Sequence, residues 1–176
     1  MCCRGCPERA RLLIIDDNPS IHNDVRKILC SDASDDELRA MEAALFDEVP
    51  EQDGSNRSFR IDSADHGQAG VEMARQAIDE GDPYLLAVVD MRMPGGWDGL
   101  ETIEHLWQVD GSVQTLICTA YSDYSWSEIC QRLSQLGDTA RLQMVKKPFG
   151  SDEFLDLIET LIDKAADDGK ADSPGQ

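Results

Sequence analysis

The chain has 176 residues, 41% of them apolar, with 35 acidic side chains against 16 basic ones and a formal net charge of −19. That length suits one domain with a substantial core, and so acidic a surface repels phosphate backbones and anionic headgroups, which argues against direct binding to nucleic acid or membrane. No apolar stretch approaches the ~20 residues needed to span a bilayer and no signal peptide stands before residue 10, so a cytoplasmic location is expected.

Residues 1–10 read as a tail. Cys3 and Cys6 make one CxxC there beside Cys2, but no second pair stands at the spacing of a structural zinc site. Cys30, Cys118 and Cys130 are scattered and read as reduced thiols. Leu12, Leu13, Ile14 and Ile15 form a short apolar run that ends at two aspartates, the pattern of a strand covered on both faces. Asn18-Pro19-Ser20 then suits a helix start, and Ile21, Val25, Ile28 and Leu29 recur on one helical face. An acidic, Ser-rich insertion follows at about 31–58, in which Leu38, Met41 and Leu45 sit at helical spacing and predict an extra helix.

Phe59-Arg60-Ile61-Asp62 alternates as an edge strand does. Val71, Ala74, Ala77 and Ile78 make the next helical stripe, closed by Gly81-Asp82-Pro83. Residues 85–89 (Leu-Leu-Ala-Val-Val) are the strongest strand and deliver Asp90. Leu100, Ile103, Leu106 and Trp107 predict a helix, and residues 113–118 a strand that ends at Thr119. Trp126, Ile129, Leu133 and Leu136 give a further stripe. Residues 142–145 read as a strand before Lys146-Lys147-Pro148, and Phe154, Ile158 and Leu161 as a final helix. Past Asp163 the composition turns polar, so 166–176 is expected to be a flexible tail or linker. Strands alternating with helices predict βαβ units and a doubly wound parallel sheet covered on both faces.

In such a sheet, functional groups collect beyond the carboxyl ends of the strands. Four strands here end in polar residues: Asp16 and Asp17, Asp90, Thr119 and Lys147. Taken singly, each has an ordinary explanation as a cap or a solvated end. Together they place three carboxylates, a hydroxyl and an ammonium on one rim. Two carboxylates ~4 Å apart repel by about 4 kcal/mol at an effective dielectric of ~20, and a hard cation such as Mg²⁺ relieves that conflict. Asp90, ionised at neutral pH, is then a candidate nucleophile for an aspartyl phosphate, with Lys147 and Thr119 to meet the phosphoryl oxygens.

Ile15-Asp16-Asp17-Asn18, Val89-Asp90-Met91-Arg92-Met93-Pro94, Cys118-Thr119-Ala120 and Lys147-Pro148-Phe149 resemble, in the right order, the receiver domain of two-component response regulators over residues 11–165. The resemblance implies a flavodoxin-like five-stranded sheet of order 2-1-3-4-5. It implies that Asp90 accepts a phosphoryl group from a sensor histidine kinase. It implies Mg²⁺ held by Asp17, Asp90 and the backbone carbonyl of Arg92, with Asp16 assisting through water, while Thr119 and Lys147 sense the phosphoryl group. The switched conformation would be read by an output domain or a downstream protein, and a homodimer is one form that readout could take.

The chain departs from that pattern in places. Gly95-Gly96-Trp97 puts three residues, not two, between Pro94 and Asp98-Gly99. Met144 stands where the family has an aromatic ring that swings inward, and an aromatic among Tyr121, Tyr124 and Trp126 is a candidate substitute. Arg92 and Tyr121, each two residues past a site residue, are candidates to crowd the water that hydrolyses the acyl phosphate. The three histidines, His22, His66 and His105, read as exposed and without special role. The readings left open are a phosphoacceptor switch that is not an enzyme, a receiver-like docking or dimerisation module that works without phosphate, and an aspartyl-phosphate hydrolase. Arg92 argues against the last, because it fills the position where such hydrolases carry a second Asp. No glycine-rich phosphate loop follows the first strand.

Overall fold

Three strands are buried on both faces and two lie at the margins, which is the burial expected of a parallel sheet sandwiched between helices. The computed structural model describes residues 10–30, 59–120 and 124–171. β1 (Ala10–Ile15), β3 (Leu86–Asp90) and β4 (Gln114–Thr119) are buried almost throughout, whereas β2 (Phe59–Ala64) and β5 (Leu142–Lys146) are only partly so. All pairings are parallel, in the order β2-β1-β3-β4-β5. The helices are α1 (Pro19–Cys30), α2 (Gly67–Asp79), α3 (Gly99–Val109), α4 (Trp126–Leu133) and α5 (Ser151–Ala171), with a 3₁₀ turn at Thr139–Arg141.

Period-two alternation along each strand sends side chains to two separate cores. Leu12 and Ile14 of β1 join Val25, Leu29, Phe154 and Ile158 from α1 and α5. Leu13 and Ile15 join Val71, Leu100, Ile103 and Ile129 from α2, α3 and α4. Helices α3 and α4 begin at capping boxes, Asp98 with Glu101 and Ser125 with Glu128, so each entry angle is held by reciprocal side-chain and backbone bonds.

Strand register sets up the rim. Ile15 pairs with Val89, Asp90 with Cys118, and Thr119 with Lys146. Asp16 and Asp90 therefore leave their strands at one level, with Thr119 one residue and Lys147 two residues beyond it, and all four reach the same rim.

Some elements differ from the sequence expectation. Leu85 lies outside β3 and is 36% exposed, its N–H donating to the Arg11 carbonyl. Ile78 and Trp126, counted in apolar stripes, are exposed because the buried arcs of α2 and α4 are centred elsewhere, on Val71, Ala74 and Ala77 and on Ile129 and Leu133. Leu136 follows the end of α4 rather than extending its stripe. α5 runs on to Ala171, past the polar change at Asp163, so the segment expected as a flexible tail from 166 opens as helix. Ala165 and Ala166 are strong helix formers, and no proline stands between Ser151 and Pro174. The N-terminal cysteines, the insertion at 31–58 with its predicted helix, Tyr121 and residues 172–176 lie outside the described residues.

Candidate functional site

Asp16 follows β1 directly and is held at every polar atom by a neighbour. Its N–H donates to the Ala64 carbonyl at 3.1 Å. One carboxylate oxygen accepts from the Asn18 N–H at 2.8 Å, an Asx turn that starts the path into α1. The other accepts from Lys147 Nζ at 3.0 Å. The same ammonium donates to Asp90 Oδ1 at 3.2 Å. Lys147 thus bridges two carboxylates that are 2% and 8% exposed as residues.

The remaining groups complete the rim. Asp17 is exposed, and one oxygen from each of Asp16, Asp17 and Asp90 lies within 4.8 Å of the others. Thr119 is buried at the end of β4, and its carbonyl accepts from the Lys147 N–H at 2.8 Å, which ties β5's exit to β4. The Met91 N–H donates to the Cys118 carbonyl. Gly99, the first residue of α3, packs directly on the Asp90–Met91 peptide, since a Cβ there would stand 2.5 Å from the Asp90 carbonyl oxygen and 2.6 Å from Met91 Cα. Arg92 is exposed two residues beyond Asp90 and lines a recess of about 420 Å³ with Met91, Met93, Pro94, Asp98 and Tyr124.

Burial pushes the Asp90 carboxyl above the usual carboxylate range, and repulsion from Asp16 and, more weakly, Asp17 adds to it. Lys147 pulls the other way without overcoming them. For Lys147 itself, burial works against the charge. The hydrogen bond to Asp16 and the charges of Asp16 and Asp90 outweigh it, and the ammonium is held above its ordinary value. Both shifts have one physical cause: a largely buried site that holds more negative charge than its one cation neutralises. Buried Cys118 just below it is pushed up to about 12, chiefly by burial, and stays a thiol.

These residues suit Mg²⁺. The donors are hard oxygens from three carboxylates, gathered closely enough to serve one small cation and carrying negative charge in excess. Among the described residues no other group of three His, Cys, Asp or Glu side chains is gathered in this way.

No family model matches the chain, and no curated protein is similar to it. Solved structures do match. A CheY-like response regulator receiver domain from Methanospirillum hungatei JF-1 is 18% identical, with 91% of this chain and 98% of that one covered and a TM-score of 0.62. The chain has the response regulator receiver fold. The N-terminal domain of a response regulator/sensory box/GGDEF three-domain protein from Carboxydothermus hydrogenoformans is 15% identical, covering 90% of this chain and 98% of that one at a TM-score of 0.61. The response regulator TrrA from Thermotoga maritima, solved in complex with Mg²⁺ and BeF, is 22% identical, covering 86% and 97% at a TM-score of 0.53. Sheet order 2-1-3-4-5 agrees with that receiver fold.

Within it, Met144 on β5 is half-buried and packs on the core shared by α2, α3 and α4. Of the candidate aromatics, Trp126 is 42% exposed. Tyr124 packs on that same core and donates its hydroxyl to Asp98 Oδ2 at 2.9 Å, joining the segment before α4 to the cap of α3. The three-residue loop is anchored by Trp97, whose ring stacks on His105 at 3.9 Å between centroids.

The histidines correct the sequence reading. His66 is exposed but caps α2, its Nδ1 accepting from the Ala69 N–H. His105 carries the Trp97 ring. His22 is 7% exposed, inside the molecule, against the Asp16 carbonyl. A signal for it existed: His22, Val25 and Leu29 share one face of α1, and the last two are buried.

Proposed function

We propose that this chain is a phosphoacceptor receiver domain in which an Asp90 carboxylate oxygen attacks the phosphorus of a phosphohistidine on a sensor kinase. The new bond is the acyl phosphate on Asp90, and the broken bond is the one from phosphorus to the imidazole nitrogen. Lys147, already in contact with Asp90, is placed to follow the incoming negative charge, and the Thr119 hydroxyl to donate to a phosphoryl oxygen. Asp17, Asp90 and the Arg92 carbonyl would hold Mg²⁺, with Asp16 acting through water. When bound, that ion supplies the positive charge against which carboxylate and phosphoryl oxygens can approach one another.

The single observation that carries this reading is the Lys147 bridge between Asp16 and Asp90, residues 131 and 57 positions away from it in the chain. Neither a solvated lysine nor a routine cap explains one cation shared by two buried acids. The chain is read as a switch rather than an enzyme. Its output would be a downstream partner or a further domain, the arrangement named for the three-domain Carboxydothermus protein.

Incubation with acetyl phosphate and Mg²⁺ tests the proposal by intact mass. A gain of one phosphoryl group that disappears in Asp90→Asn supports it. No gain under conditions that phosphorylate a known receiver would favour the second reading, a docking or dimerisation module independent of phosphate. The feature that gives that module credit is Met144, half-buried in place of a movable ring. Sedimentation with and without beryllofluoride would show whether a homodimer forms on switching.

A further inference from the structure

We propose that His22 is a positioning residue for the metal-binding carboxylates, clamping the Asp16–Asp17 peptide from the interior of the domain. The inference rests on the reading of the acidic rim as a Mg²⁺ site. His22 lies on α1, is 7% exposed, and has Nε2 2.7 Å from the Asp16 carbonyl oxygen. A carbonyl can only accept, so Nε2 carries the hydrogen and donates it. Nδ1 has no hydrogen-bond partner among the described residues. The ring is therefore committed through one nitrogen to one purpose.

The Asp16 carbonyl belongs to the same rigid peptide plane as the Asp17 N–H. Holding that oxygen sets the plane's orientation, and with it the direction in which the Asp17 side chain leaves the backbone. On the other side of the same residue, the Asp16 N–H is fixed to Ala64, and its carboxylate is fixed by Asn18 and Lys147. His22 holds the carbonyl of the peptide that leads to Asp17, the exposed member of the cluster, beside the Asx turn that the Asp16 carboxylate closes over it. Outer groups of this kind orient ligands, and their removal typically weakens metal binding by about 10–100-fold.

The variants follow from bond counting. A glutamine amide nitrogen lies the same number of bonds from Cα as histidine Nε2, whereas an asparagine nitrogen matches Nδ1 and falls short of the carbonyl. Calorimetric titration with MgCl₂ should therefore show His22→Asn binding about tenfold or more weakly than wild type. His22→Gln should lie closer to wild type than to His22→Asn, at matched thermal stability. Side-chain ¹⁵N spectra of the unliganded wild type should show His22 protonated at Nε2. Wild-type affinity in His22→Asn would overturn the clamp, and so would equal losses in both variants alongside equal losses of stability. A ring that carries no hydrogen on Nε2 would overturn it whatever the titrations show. A wild-type chain that takes up no Mg²⁺ would instead remove the metal-site reading on which the clamp is built.

Discussion

Lys147 stands between two acids that cannot both be comfortable without it. Asp16 is 2% exposed, and Asp90 is already held toward protonation by burial and by Asp16. Replacing the lysine by methionine keeps much of the apolar stem and removes the charge. In chelator at neutral pH, Lys147→Met should cost about 1–3 kcal/mol of stability, because a buried carboxylate pair then has no counter-charge. Excess Mg²⁺ should narrow the gap, since it neutralises the same carboxylates. Urea unfolding in EDTA and in MgCl₂ checks both parts, and a gap untouched by Mg²⁺ would mean that the ion does not meet these acids.

At the scale of elements, the opposite end of the sheet is held by a different polar cluster. Arg11 on β1 donates to Asp62 on β2 at 3.0 Å and to the Asp82 carbonyl in the turn before β3 at 2.8 Å. Its guanidinium lies 4.6 Å from the centroid of the Tyr84 ring, whose hydroxyl donates to Asp62 at 2.8 Å. One residue thus staples two strands and a loop. Burial works against the Asp62 charge, yet the Tyr84 hydroxyl and Arg11 together hold that carboxyl below its usual value. The unfolded chain, with an ordinary aspartate near about 3.9, takes up its proton first as pH falls. The cluster's contribution is therefore fully present above that value and is lost as pH drops through the depressed folded value. Asp62→Asn should be less stable than wild type by about 1–3 kcal/mol at pH 7, and the difference should shrink at pH values of about 3. Urea midpoints at the two pH values decide it, and an undiminished difference in acid would sink the assignment.

For the molecule as a whole, a ligand bound only by the folded state adds stability by mass action. Mg²⁺ at about a hundred times its dissociation constant should add about 2.7 kcal/mol, or roughly 5–10 °C in Tm for a chain of this size. EDTA should reverse the shift. Differential scanning calorimetry of wild type and Asp17→Asn measures it, and equal responses from the two would exclude Asp17 as a ligand. The net charge of −19 works in the same direction, since it favours cations over anionic surfaces. Among the described residues no helix is long and apolar enough to cross a membrane.

Element types, and the residues at strand ends, could be read from the chain because they depend on local signals: apolar runs of strand length, helical stripes, and polar residues where those runs stop. Asp16, Asp17, Asp90, Thr119 and Lys147 were nameable for that reason. β3 begins at Leu86 rather than Leu85, and α5 continues past Asp163 to Ala171, because boundaries depend on packing and backbone bonding that composition does not record. Which nitrogen of His22 meets which carbonyl, which carboxylates share Lys147, and how Tyr124 reaches Asp98 are pairings across different elements. Periodicity assigns a residue to a face but says nothing of its partner on another element. Those pairings exist only once parallel register brings distant strand ends to a common edge.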